Sequence, residues 1–342
     1  MSFRHKILTA VKILGGFSLA QALTKQGLQV LCYHGISLQD EHYFQPKLFM
    51  REDTFRERMA YLKKSGFRVL SLDEALAGIN QKTLPPKTLV ITFDDGWLGI
   101  GTKAAPVLKK YGFPSTLYVT TRDVINEAPV FDVTLRYLLW KKRNKVLDLG
   151  NIGLGTETII LSSSDERERA ACHIIEISKN RDDNDKQTML LKLAKTLEIN
   201  LDSDKDAPLF RLMTMEQLAQ LPSDGMDLQL HTHSHRLPVN DPVGLESEIV
   251  KNRSILERIV HRPLQHLCYP SGKFHPSQFP LLQKLGVKSA TTCLSGFNYP
   301  DTKRFALRRF LDGENITQLE FEAELSGFLE LMRKFRRILS GS

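Results

Sequence analysis

The sequence predicts an α/β protein whose parallel strands curl into a distorted (β/α) barrel of about seven strands, with a helical insertion. Three observations carry this expectation. Short β-branched and aliphatic runs alternate with helical patterns in both halves of the chain, which calls for a parallel sheet with crossover helices. The run Thr88-Leu-Val-Ile-Thr-Phe93 is rich in apolar residues at adjacent positions, as a strand covered on both sides must be. The chemically reactive residues also fall where strands end. His34, Asp94, Asp95, His231, His235 and the turn Tyr269–Gly272 all lie at carboxyl ends, where such barrels place their chemistry.

Composition is that of an ordinary folded chain. With 342 residues, 42% apolar and 25% charged, there is material for one large or two ordinary domains, and disorder is not the default. The balance of 47 basic and 39 acidic residues gives +8, which favours anionic surroundings such as phospholipid or an acidic polymer. No nucleic-acid motif accompanies that charge, and no nucleic-acid partner is expected. Cys32, Cys172, Cys268 and Cys293 form no C-x-x-C, which excludes zinc-ribbon and thioredoxin readings and leaves free buried thiols as the expected state.

Taken in order, residues 1–27 form an amphipathic N-terminal segment. Arg4, His5 and Lys6 precede an apolar stretch that Lys12 interrupts, so the ~20 apolar residues needed to span a bilayer are not reached. An interfacial helix fits this pattern better than a cleaved leader, and a helix packed on its own domain is the alternative. Leu28–Ile36 reads as a strand ending on His34, followed by a helix capped by Asp53 and running to Lys64. A short strand at Phe67–Leu70, a helix at Leu72–Ile79, the Thr88 strand, a helix over Thr102–Tyr111 and a strand over Pro114–Thr120 continue the alternation.

From about 123 to 222 the rhythm breaks, and this piece reads as an insertion within a domain spanning 28–312. It should hold a helix over Val133–Trp140, short strands within Val146–Leu161, and a helix to Ile177 opened by the capping box Ser163/Glu166. Another helix should run from Asp182 to Leu197. Asp202, Asp204 and Asp206 suggest a calcium loop, but Ala207 stands where glycine is needed and no Glu closes it. The alternation resumes with a Thr214/Gln217 cap, strand Asp227–His233, helix Leu245–Val260, strand His266–Tyr269, helix Pro276–Leu285, and strands Lys288–Cys293 and Phe305–Leu311. Residues 313–342 hold a helix from about Ile316 to Leu339 with Leu325, Phe328, Leu329, Met332, Phe335 and Leu339 on one face. Packing on its own domain is the favoured reading of that helix; an anionic membrane surface is the alternative.

The chemistry concentrates in two places. Asp94 and Asp95 end a buried strand side by side, where repulsion and lost hydration demand a cation or hydrogen-bond donors. His231-Thr-His-Ser-His235 offers three imidazoles at alternate positions, and the first and last converge if the chain turns after the strand. Two neutral imidazoles and one carboxylate suit zinc or another borderline divalent ion.

Thr92-Phe-Asp-Asp-Gly96 together with His231-Thr-x-x-x-His235 resembles the first two motifs of the polysaccharide deacetylase family, the NodB-homology group or carbohydrate esterase family four. The likeness extends over roughly 28–122 and 213–312. It implies Asp94 as catalytic base, Asp95, His231 and His235 as ligands of a divalent metal (zinc first, cobalt or nickel as alternatives), and His233 as a neighbour. It also implies that the turn at Tyr269 and Ser271 faces substrate, with the backbone N–H near Ser271 holding the oxyanion. No suitable histidine follows His275, so the general acid is taken from the setting Tyr33-His34, as in the permuted exopolysaccharide deacetylases that act on poly-N-acetylglucosamine. Cys268 stands where many members have an arginine that orients the aspartate, and Arg308 or Arg309 is the candidate substitute. The expected function is metal-dependent removal of acetyl groups from an N-acetylated glycan or glycolipid at the cell envelope or a membrane, the cytoplasmic face included. An O-acetyl esterase and a glycan-binding envelope protein without turnover are the alternatives.

Overall fold

All eight residues of the central strand, Thr88–Asp95, are buried, which is what its apolar run requires. The structure, a computed structural model, describes residues 3–143, 146–199 and 209–340. Seven strands form the main path: β1 (Gln29–Tyr33), β2 (Thr88–Asp95), β3 (Ser115–Val119), β4 (Met226–Leu230), β5 (His266–Cys268), β6 (Ser289–Thr291) and β7 (Phe310–Leu311). They lie in the order β6-β5-β4-β3-β2-β1-β7, and a two-residue strand, Arg68–Val69, adds to β2. Every pairing in this sheet is parallel. The sheet curls until one segment serves both edges. Phe310 and Leu311 pair with β1, while Leu307 bridges Thr291 of β6. The α/β barrel expected from the sequence is the observed architecture.

The principal core fills this barrel and the seam beneath its helices, with Leu31, Ile91, Phe93, Leu117, Leu228 and Leu267 among its residues. Each such side chain contributes about 1.5–3 kcal/mol on burial. Helix α1 (Phe3–Ile13) and α2 (Gly16–Leu23) precede β1, and α3 (Glu52–Lys64) follows it. Asp53 lies in the first turn of α3, one residue inside the start, and the position before that start, Arg51, makes no side-chain cap.

Between β3 and β4, α4 (Phe131–Lys141), the antiparallel hairpin Val146–Asp148/Thr158–Ile160, α5 (Ser164–Ile177) and α6 (Asp183–Thr196) build a second apolar cluster. Leu138, Leu147, Ile174 and Leu193 are buried within it. The capping box at Ser163 and Glu166 is formed. Asp202, Asp204 and Asp206 lie outside the described residues.

Helix α7 (Pro242–Val260) crosses behind β4. The C-terminal helix expected to be continuous is broken into α8 (Gln318–Leu325) and α9 (Phe328–Ser340). Gly327 causes the break: its φ is 78°, and a Cβ there would stand 2.1 Å from Thr24 Oγ1.

Candidate active site

Parallel register places the reactive residues together. Tyr33 of β1 lies opposite Phe93 of β2, so His34 and Asp94, one step further along each chain, become neighbours. His34 Nε2 is 3.6 Å from Asp94 Oδ2. Asp94 is buried, and its carboxylate is gripped by the residue just before β7. Arg309 Nη1 donates to Oδ1 at 2.7 Å and Nη2 to Oδ2 at 2.8 Å. A third donor, Arg309 Nε, is held by the Thr292 carbonyl at 2.9 Å. Cys268 and Cys32 direct their thiols at the same Oδ2, at 3.4 and 3.6 Å. Burial by itself would raise the Asp94 carboxyl; the Arg309 charge and hydrogen bonds, aided by His34 and His231, hold it well below the usual carboxylate range. Burial also pushes the Cys32 thiol up, which keeps it a neutral donor. Of the two arginines offered by the sequence, Arg309 takes the aspartate; the Arg308 N–H and carbonyl are bound to the Asn298 side chain.

Asp95 has a different set of neighbours. Trp97 Nε1 donates to Oδ2 at 2.8 Å, which leaves Oδ1 to face two imidazoles. His231 Nε2 lies 3.3 Å and His235 Nε2 3.4 Å from that oxygen. One donor atom from each of Asp95, His231 and His235 falls within 4.8 Å of the others. His231 Nδ1 lies 2.9 Å from the Cys268 carbonyl, a partner that only a protonated Nδ1 can satisfy. With Nδ1 so committed, Nε2 is the ring nitrogen turned toward Asp95. These residues fit a divalent ion: two imidazole nitrogens, one carboxylate oxygen, and ligand orientation fixed from behind by Trp97 and Cys268.

The turn that converges the histidines depends on backbone the sequence does not announce. Strand β4 ends at Leu230, earlier than expected, and Thr232 (φ 64°) and His235 (φ 56°) both take the left-handed conformation. Asp95 (φ 74°) and Ser271 (φ 56°) do the same, each at a cost of about 1–3 kcal/mol. His233 points elsewhere: its Nδ1 is 2.9 Å from Thr121 Oγ1, and its carbonyl accepts the Arg122 N–H at 2.8 Å. Helix α7 braces the turn. Asn252 accepts the His231 N–H at 3.0 Å and donates to the Val119 carbonyl at 2.9 Å, while Glu248 accepts from the Ser234 N–H at 2.7 Å. Asn252, Glu248 and Trp97 were not singled out from the sequence. The tryptophan directly after Asp-Asp-Gly was the one available hint.

The turn after β5 places Ser271 and Tyr269 in different surroundings. Ser271 lines a cleft of about 460 Å³ together with Asp95 and His235. Among the described residues its N–H has no protein acceptor, whereas those of Gly272 and Lys273 fold back onto the Tyr269 and Pro270 carbonyls at 2.8 and 3.2 Å. Tyr269 is a correction: it is fully buried, and its hydroxyl donates to the Phe305 carbonyl at 2.9 Å. Its N–H is also taken, by the Thr291 carbonyl. Tyr269 therefore shapes the turn and offers no group to the cleft. The far wall of the cleft comes from the segment between β3 and β4, with Phe131, Ile175 and Lys186 on it. The expectation of four buried thiols is also corrected, since Cys172 is exposed and Cys293 half-buried; all four cysteines are free.

Comparison with known proteins bears on the family and the fold. The family model for polysaccharide deacetylase matches residues 81–290. YxkH of Bacillus subtilis (strain 168) is 33% identical over 285 residues, which cover 82% of this chain and 70% of that one. The poly-β-1,6-N-acetyl-D-glucosamine N-deacetylase of Escherichia coli (strain K12) is 30% identical over 90 residues, 26% of this chain and 13% of its own length. Among solved structures, the deacetylase PplD of Streptococcus pyogenes, in complex with acetate, has a TM-score of 0.59 at 18% identity, covering 87% of this chain and 98% of its own. IcaB of Ammonifex degensii has a TM-score of 0.56 at 18% identity, covering 88% and 97%. At such identities the structural likeness bears on the fold.

Proposed function

This chain belongs to the polysaccharide deacetylase family and is a hydrolase of carbon–nitrogen bonds, and from that premise we propose that it removes acetyl groups from N-acetylated amino sugars of an envelope polysaccharide or glycoconjugate. One observation carries the reading: the two adjacent carboxylates are given different partners. Asp95 shares an oxygen with two imidazoles, while Asp94 is fixed by Arg309 and faces His34.

Asp95, His231 and His235 are the residues that would hold a divalent cation, zinc first. When bound there, such an ion polarises an acyl carbonyl and acidifies water. Asp94, kept ionised by Arg309, accepts a proton from the attacking water at a carboxylate oxygen. His34 donates a proton to the departing nitrogen. The Ser271 N–H donates to the oxygen on which negative charge develops. The segment 123–222 belongs in this reading as an insertion into a unit spanning 28–312, with 1–27 and 313–342 as flanking elements; its separate apolar cluster and its place on the cleft wall support that division. Cys268 in the place of a motif arginine pointed toward a binding protein without turnover. Arg309 supplies a guanidinium from the segment entering β7, which favours turnover.

The name of the E. coli relative makes poly-β-1,6-N-acetylglucosamine oligomers the first substrate to try. Protein stripped of metal and resupplied with zinc or cobalt should release acetate from them, and Asp94→Asn should release it roughly 10²–10⁴-fold more slowly. Equal rates for the two proteins would end the base assignment. Matched ester and amide substrates decide between O- and N-deacetylation.

A further inference from the structure

The two ends of the chain meet away from the catalytic mouth. Helices α1 and α2 form a pair bent by 76°, and no single helix in the described residues is long and apolar enough to cross a membrane. One side of the pair packs on the C-terminal helices. Leu8 and Phe17 bury against Ala323, with Leu319 and Phe328 beside them, and the rings of Phe17 and Phe328 lie 5.9 Å apart. The other side is bare. Leu14 is 85% exposed, Phe3 80% and Ile13 79%, and Leu19 and Leu23 continue the surface along α2. Helix α9, which packs on α2, exposes Ile338 (78%), Leu339 (71%) and Phe335 (56%). The apolar face read from the sequence in α9 is therefore covered only near its start. Scattered exposed apolar residues need no explanation, but a cluster of this size does.

Charge selects what covers it. The first 39 residues contain no Asp or Glu, and neither do residues 331–342. Arg4 and Lys12 pair with Glu320 and Glu322, and Arg333 pairs with Glu324 and Glu330. Those acids belong to α8 and the first turn of α9, so they pin the helices together. Lys6, Lys25 and Arg336 are exposed on the same terminal segments. Large apolar side chains within a cationic border match the interface of an anionic bilayer, where acyl chains take the former and headgroups the latter. The placement suits the reaction as well. The terminal helices join the barrel at the amino end of β1, where the Gln29 amide donates to the Leu325 carbonyl at 2.9 Å. Asp94, Asp95 and His231 lie at the carboxyl ends of their strands.

We propose that α1, α2 and α9 form one composite surface that docks the protein on anionic phospholipid, leaving the catalytic mouth free for a polymeric substrate. The test uses the full chain and two vesicle preparations, phosphatidylcholine alone and phosphatidylcholine mixed with phosphatidylglycerol. Flotation should show binding to the mixed vesicles, weakening as salt rises. Leu14→Glu and Ile338→Glu, on opposite ends of the chain, should each cut that binding by about tenfold or more, while acetate release from soluble oligomers is unchanged. Binding lost with one variant and retained with the other would refute a composite surface. Failure to bind either vesicle would overturn the proposal. So would a dimer in light scattering that both substitutions dissolve, because the face would then belong to a second copy of the chain.

Discussion

At the residue scale, the behaviour of Asp94 turns on Arg309. Burial opposes the ionised carboxylate, and the bidentate guanidinium more than offsets it. The sign follows directly. A carboxyl whose folded pKa lies below its unfolded value, about 3.9, adds stability above that value and loses it as pH falls toward the folded one. Asp94 is likewise ionised throughout the neutral and mildly acidic range. In Arg309→Met the burial penalty is left without its counterweight, so the Asp94 pKa should rise. The acidic limb of kcat/KM should then move to higher pH, and stability should fall by about 3–5 kcal/mol, as when a buried ion pair loses one partner. A pH–rate profile and a urea melt check both. An unmoved acidic limb would show that Asp94 does not set it. The sequence offered Arg308 and Arg309 as equals. Only side-chain facing just before β7, inward for Arg309, separates them.

At the scale of elements, the capping signals were the most legible. Ser163 with Glu166 and Thr214 with Gln217 both form the boxes their spacing predicts, because a capping box is local chemistry. Element ends set by tertiary contact were less so. The C-terminal helix breaks at Gly327 because Thr24, from the far end of the chain, leaves no room for a side chain. Strand β4 stops before His231 because α7 takes the next N–H through Asn252. That helix carries the element-scale prediction. Asn252→Ala should leave the His231 N–H and the Val119 carbonyl without partners, costing about 1–3 kcal/mol. It should also weaken zinc affinity by roughly 10–100-fold, as loss of ligand-orienting contacts does. Calorimetric zinc titration measures this directly, and wild-type affinity in the variant would show that α7 does not position the ligands.

For the whole molecule, the barrel brings β2 and the turn after β4 to one place, and an unfolded chain offers no such site. Zinc should therefore raise Tm, by about 2.7 kcal/mol of stabilisation at a hundredfold excess over Kd, and Asp95→Asn should abolish the rise. Scanning calorimetry with zinc and with chelator decides it. What the sequence determined alone was the alternation that makes a parallel barrel, the capping chemistry, and the residue types that gather at strand ends. Periodicity and residue chemistry are local properties, and they survive in a linear string. Tertiary structure decided which arginine grips Asp94, that Trp97 holds Asp95 and Asn252 the His231 backbone, that Tyr269 is buried, and that the first helices pack on the last ones. Each of these depends on contacts between residues distant in the chain, and parallel register and close packing fix them only once the barrel has formed.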